Sequence, residues 1–252
     1  MHINALWLSR IQKYKNTPFL IDTSKVIIEL KIERQSILLK KYKKMPLEKN
    51  IFKASTMQDV FLTEARTARS YWKEFKTLLP QYDFPGRKPH NPDIVNRLLD
   101  VGYHHLAGLV SGILDKHDVP AAIGFMHVAR TADAKPLVYD LMEMFRADLV
   151  EAEVLRFLRL KKKPLVEISG KNIGHFIHEV NERLNRPYFL KDFNRCHTYG
   201  YYMGLQILKC LKAVNHNAVF EPLFLPTRHD MRCSLTENDD SAIVLEGPSS
   251  TL

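Results

Sequence analysis

At 252 residues the chain can bury a sizeable core in one large domain or two small ones, and ten Gly with thirteen Pro exclude fibrous and low-complexity classes. No apolar run reaches the ~18 residues of a membrane span. The opening MHINALWLSRIQKYK is too short and too soon charged for a signal peptide. Cys196, Cys210 and Cys233 are odd in number and widely spaced, which reads as reduced thiols in a cytoplasmic protein with no membrane partner. Of a net charge of +9, residues 1–53 carry 12 Lys/Arg against 4 Asp/Glu, whereas 234–252 hold 4 Asp/Glu and no Lys/Arg. A basic N-terminal arm points to a polyanion, nucleic acid being the commoner one, or to a solubilising face.

In chain order, FLIDTSKVIIELKI fits strand or helix, while KIERQSILLKKYKK reads as helix with Ile32, Gln35, Leu38 and Leu39 near one side. Met45-Pro46 breaks it. Over 56–79 the positions Met57, Val60, Phe61, Ala65, Ala68, Tyr71, Trp72, Phe75, Leu78 and Leu79 form an amphipathic stripe. Glu64 lies inside that stripe, and Arg66, Arg69, Lys73 and Lys76 occupy the other face. A carboxylate among aromatics needs a cation, a metal or hydrogen bonds. The plainer alternative puts Glu64 at the stripe's edge, paired with a neighbouring arginine.

PQYDFPGRKPHN, residues 80–91, is a loop. Asn91 is an N-cap candidate with Pro92 at the first helical position, ahead of an apolar helical period from Ile94 to Leu114. Gly102, Gly108 and Gly112 interrupt this period, and each suggests a closely packed neighbour helix. Asn96 and Tyr103 fall seven apart on one side. HDVPAAIGFMH, 117–127, is a turn into a short element ending at His127. Residues 135–163 read as one long helix, with further helices at 169–184 and 199–214. The segment 234–252 reads as a disordered tail. There is no internal repeat, and the chain is mainly α.

Asp140 and Glu143 share one helical face in LVYDLMEMF, and His127 follows the apolar run IGFM. Together with Glu64 these are four acid or imidazole groups in apolar context, which suggests a shared cation. Two carboxylates and an imidazole suit Mg²⁺ or Mn²⁺.

Four blocks carry a resemblance: E-A-x-x-A-R-x-Y-W (Glu64 to Trp72), R-K-P-x-x-P-D-x-x-N-x-L-L-x-x-G-Y-x-x-L (Arg87 to Leu106), G-F-x-H (Gly124 to His127) and L-V-Y-D-L-M-E-x-F-R (Leu137 to Arg146). In order and spacing they resemble the helical catalytic domain of the CRISPR-associated endonuclease/integrase of spacer acquisition, the Cas one family, over about residues 56–150. Weaker similarity extends back through KIERQSILL and forward to about residue 215. The resemblance implies a divalent ion, Mn²⁺ or Mg²⁺, on Glu64, His127 and Glu143. Glu143 stands where relatives often have Asp, and Asp140 is a further acidic position beside the site.

The implied reaction is phosphoryl transfer on double-stranded DNA. The 3′-hydroxyl of a prespacer attacks a CRISPR repeat, or water acts as the nucleophile, with no covalent protein–DNA intermediate. Implied partners are a second copy in a homodimer and the Cas two protein. The family's β-rich N-terminal domain would be largely missing, which leaves a naturally small integrase, a truncated chain, a non-catalytic DNA-binding subunit or a transposon-type integrase as alternatives. On this reading the domains are a basic arm with linker helices (1–55), the metal-dependent domain (56–233) and the tail (234–252).

Tyr103 touches the reacting phosphate or is a core tyrosine with a satisfied hydroxyl. Asn96 braces the site. Arg66, Arg69 and Arg130 contact DNA or are solvated. His175 with His178, and Cys196, His197, Cys210, His216 and Cys233, lack the spacing of a metal centre. Tyr199, Tyr201 and Tyr202 read as a packed helix face rather than a base-stacking platform.

Overall fold

The computed structural model describes residues 3–14, 17–48, 53–129, 131, 133–190 and 194–227. Arg130, Cys233 and the tail expected at 234–252 lie outside the described residues.

The architecture is mainly α, as the periodicity predicts. Helices α1 (Ile3–Tyr14), α2 (Pro18–Lys41), α3 (Met57–Lys76) and α4 (Ile94–Lys116) precede a short α5 (Pro136–Met142). A π-helical segment, Ala147–Glu151, leads into α6 (Ala152–Arg159) and α7 (Gly170–Asn185). A hairpin of β1 (Pro187–Leu190) and β2 (Arg195–Thr198) then runs into α8 (Tyr199–His216). Its register pairs Pro187 with Thr198 and Leu190 with Arg195. Among the described residues no helix is long and apolar enough to cross a membrane.

The segment that fitted strand or helix is helix throughout α2. Pro18 starts it, where a missing N–H costs no internal bond. Both N-terminal helices belong to the core. Trp7 is fully buried and donates its indole N–H to the Ile123 carbonyl at 3.2 Å, while Ile27, Ile32 and Leu39 pack with α3 and the later helices. In α3, Thr56 and Asp59 form a capping box, and Tyr71, Trp72, Phe75 and Phe84 make an edge-to-face cluster with centroids 4.9 to 6.2 Å apart.

Five expectations change. The N-cap of α4 is Asp93, which accepts the Asn96 N–H at 3.0 Å; Asn91 sits two residues earlier and accepts the Asp93 N–H. Of the three glycines in α4, only Gly102 meets a neighbour: a Cβ there would fall 2.5 Å from a Val150 methyl, whereas Gly108 and Gly112 face open space. Residues 117–129 form no regular element. The helix expected over 135–163 breaks after Met142 and resumes through the π segment. The break turns Asp148 toward α2 and Glu151 toward both α2 and α4, where Arg34, Gln35 and Tyr103 hold them. Cys210 is a buried free thiol, but Cys196 is disulfide-bonded, so the cysteines are not all reduced.

Candidate functional site

α3 presents Glu64, the loop before α5 presents His127, and the turn after α5 presents Glu143. They meet where α2 crosses beneath them. Lys31, buried in α2, places its ammonium 2.5 Å from Glu64 Oε1 and 2.7 Å from Glu143 Oε2. The Arg146 guanidinium covers the other Glu143 oxygen at 2.6 Å and lies over the Tyr103 ring, 4.1 Å from its centroid. Glu64 is therefore ion-paired, with a lysine from another helix rather than a surface arginine of its own.

Burial works against the charge on Glu143, but Arg146 and Lys31 outweigh it and hold the carboxyl at about 2. Burial also works against the Lys31 ammonium; the Glu143 and Glu64 carboxylates prevail and push it above its ordinary value. Both groups are ionised at neutral pH.

Asp140 is fully buried and accepts four hydrogen bonds: backbone N–H groups of Phe125 (2.7 Å), Met126 (3.1 Å) and His127 (2.8 Å), and His127 Nδ1 at 2.7 Å. One carboxylate thus folds the G-F-x-H loop and orients its histidine. Gly124 is required in this loop because a Cβ would stand 2.4 Å from Asp140 Oδ2 and 2.9 Å from the Pro136 backbone. The Asp140 bond, with its charge, raises the His127 pKa against the opposing effect of burial. It also leaves Nε2 as the ring nitrogen free to act on a ligand, the arrangement that histidine ligands adopt.

The cleft above these groups has a volume of about 290 Å³ and is lined by Tyr103, His104, His127, Tyr139, Glu143 and Arg146, among others. Among the described residues, no three His, Cys, Asp or Glu side chains stand close enough together to form a ligand shell as placed. Lys31 occupies the space between the two carboxylates. In kind, the residues suit a divalent ion: the Glu64 and Glu143 carboxylates are drawn together on Lys31, and the His127 imidazole lines the same cleft as Glu143.

The other candidates fall into place around this. Tyr103 donates its hydroxyl to buried Glu151 at 2.8 Å, and burial raises its pKa beyond reach, so it is a neutral donor supporting Arg146. Asn96 accepts from Arg87 (3.0 Å) and the Lys88 N–H (2.8 Å) and donates to the Gly86 carbonyl (2.9 Å). It braces the R-K-P loop and does not line the cleft. Arg66 and Arg69 are exposed, and Arg66 lines a separate groove of about 700 Å³ with Lys53 and Lys73. His175 and His178 are exposed; Tyr199 and Tyr202 are buried, and Tyr201 stacks on His197.

Lys31, Arg146 and Glu151 were missed. The signal for Lys31 was the one that exposed Glu64, a charge inside an apolar stripe.

The family model for CRISPR associated protein Cas1 matches residues 3–167. A "CRISPR-associated endonuclease Cas1 1" of Saccharolobus solfataricus is 30% identical over 192 residues, covering 70% of this chain and 53% of that protein. A Cas1 endonuclease of Mycobacterium tuberculosis is 34% identical over 97 residues, 38% of this chain and 28% of its own. The chain thus spans about half, or less, of the length of these relatives. In fold it is similar to a casposase bound to integration product (TM-score 0.72, 17% identity, covering 84% of this chain and 65% of the casposase). It is also similar to a Cas1 protein from Thermotoga maritima (TM-score 0.69, 16% identity, 84% and 71%). The match to the family model spans more than half of the chain and runs through Lys31, Glu64, His127 and Glu143: this chain belongs to the CRISPR-associated Cas1 family.

Proposed function

We propose that the chain is a divalent-metal-dependent DNA endonuclease and strand-transfer integrase that joins short prespacer DNA to a CRISPR repeat. The observation that carries this reading is the pairing of Glu64 and Glu143 through Lys31 in a Cas1-family chain, beside a cleft lined by Glu143 and by His127, which buried Asp140 fixes through Nδ1. Glu64, His127 Nε2 and Glu143 would hold Mn²⁺ or Mg²⁺. Such an ion, when bound, supplies charge to a phosphate oxygen and to the nucleophile.

The chain's own residues prepare the reaction. Asp140 holds the Nδ1 proton, so the imidazole presents its other nitrogen. Arg146, resting on Tyr103 at the cleft wall, offsets the Glu143 charge that would otherwise repel a phosphodiester. A DNA 3′-hydroxyl forms the new P–O bond as the old one breaks, so the bond count is conserved. With water in its place, the product is a cut strand. The buried Tyr103 hydroxyl is a structural donor and forms no bond to DNA. Exposed Arg66 and Arg69, a homodimer and a Cas two partner complete the reading. A similar fold in a casposase bound to integration product supports, as a second reading, a transposon-type integrase with the same chemistry.

The test incubates the protein with short duplex DNA and a supercoiled repeat plasmid in Mn²⁺, Mg²⁺ or chelator. Joined product forms with metal and disappears with chelator. Glu64→Gln, His127→Ala and Glu143→Gln each lose it while DNA retention is kept, since phosphate contacts supply most non-specific affinity. Joining in chelator, or full activity in any of the three variants, overturns the proposal.

A further inference from the structure

Glu143 has no free oxygen. Arg146 covers Oε1 at 2.6 Å, and the Lys31 ammonium stands 2.7 Å from Oε2. An ion that binds Glu143 must therefore take the place of one cation. Arg146 is poorly suited to yield, because its guanidinium is also stacked on Tyr103. Lys31 is a point charge on a flexible four-carbon stem. Among the described residues it alone pairs with both Glu64 and Glu143, so its ammonium sits where one cation neutralises both carboxylates.

We propose that Lys31 is the resident counter-charge of Glu64 and Glu143 and competes with the divalent ion for their carboxylates. Building the cation into the fold lets the chain keep two acidic side chains together without metal, since Arg146 pairs with Glu143 alone and the two carboxylates would otherwise repel. The consequence is a weakened metal affinity: the ion must displace an ammonium as well as shed water. Binding by a phosphate-bearing substrate would assist the exchange by giving Lys31 a new anion. This inference rests on the metal reading above.

The test measures Mn²⁺ binding by calorimetry, and melting in chelator and in saturating Mn²⁺, for the whole chain and three variants. Lys31→Met keeps the stem and removes the charge. Lys25→Met makes the same charge change on the same helix, at a residue paired with exposed Asp22. Lys31→Arg keeps the charge. Expected for Lys31→Met is a lower melting temperature in chelator, recovery in Mn²⁺ and Mn²⁺ affinity at least about tenfold tighter, because the ion no longer meets a like charge. Lys25→Met stays within about threefold of wild type, as an exposed charge is screened, and Lys31→Arg binds no more tightly than wild type.

If Lys31→Met does not fold in chelator, folding on addition of Mn²⁺ supports the proposal, and failure to fold in saturating Mn²⁺ overturns it. Equal or weaker Mn²⁺ binding by Lys31→Met also overturns it, because Lys31 then acts alongside the ion rather than in its place. Absence of Mn²⁺ binding in wild type and every variant is a different failure, that of the metal reading itself.

Discussion

Replacing Asp140 by Ala tests the site at its most heavily bonded residue. Its two oxygens accept three backbone N–H groups and His127 Nδ1. The His127 side chain is 42% exposed, so its ring N–H, and the neighbouring part-buried backbone N–H, can find water after the substitution. The Phe125 and Met126 N–H groups are buried and cannot. Two stranded donors cost about 1–3 kcal/mol each. Deleting a buried carboxylate also removes its own desolvation penalty, which favours the lower half of that range. A net loss of about 2–4 kcal/mol translates to a melting temperature roughly 5–15 °C lower for a chain of this size.

Strand transfer should fall further than stability explains, because His127 loses the bond that fixes its tautomer, while Glu64→Gln should lose strand transfer without the melting penalty. Gly124→Ala pushes a methyl at the same carboxylate and should reproduce the Asp140→Ala phenotype in milder form. Calorimetric melting together with the joining assay at a temperature where every variant is folded is the measurement. An Asp140→Ala protein that melts within about 2 °C of wild type and joins DNA at full rate would refute the account of the G-F-x-H loop.

Gly102→Ala drives a methyl against Val150 and Phe176 and should destabilise by about 1–3 kcal/mol. Gly108→Ala and Gly112→Ala meet nothing and should each stabilise by about 1 kcal/mol, a sign difference that urea melts resolve. Glu143 ionises more readily in the folded protein, at about 2 against 4.5, so its contribution to stability is present above pH 4.5 and is lost as pH falls toward 2. Glu143→Gln should flatten the fall of the urea midpoint across that window, and an unchanged slope would remove Glu143 from the network. Tyr103→Phe removes a donor to buried Glu151 and should cost about 1–3 kcal/mol. No protein-linked DNA should form with wild type or with this variant, and a covalent band on a denaturing gel that vanishes in Tyr103→Phe would show the reaction class to be wrong.

The parts of the site legible in the sequence are those where one element's own pattern is violated. Glu64 interrupts an apolar stripe, and that mismatch is visible because α3 is amphipathic, with a polar face to compare against. Over 136–158 the comparison fails. Most positions from Pro136 to Leu158 are buried, so the polar face is too thin to show where the helix breaks and re-forms as a π segment. Glu143 and Asp140 were recognisable as acids in apolar surroundings, yet nothing local told that one pairs with cations and the other with backbone N–H groups.

Partners were the least legible feature, because they come from far along the chain. Lys31 is 33 residues from Glu64, and Gln35 is 116 from Glu151. The basic N-terminal region shows the consequence. Counted as charge, residues 1–53 look like a polyanion clamp. In the fold, Lys31 and Arg34 are buried and neutralised by Glu64, Glu143 and Asp148, so two of its cations belong to the interior of the protein and are not available to DNA. Deleting the region would therefore remove the floor beneath Glu64 and Glu143 along with any outer contact. Only point changes on exposed cations such as Lys40 can separate the two roles. Lys40→Ala should weaken DNA retention most at low salt and leave the melting temperature unchanged.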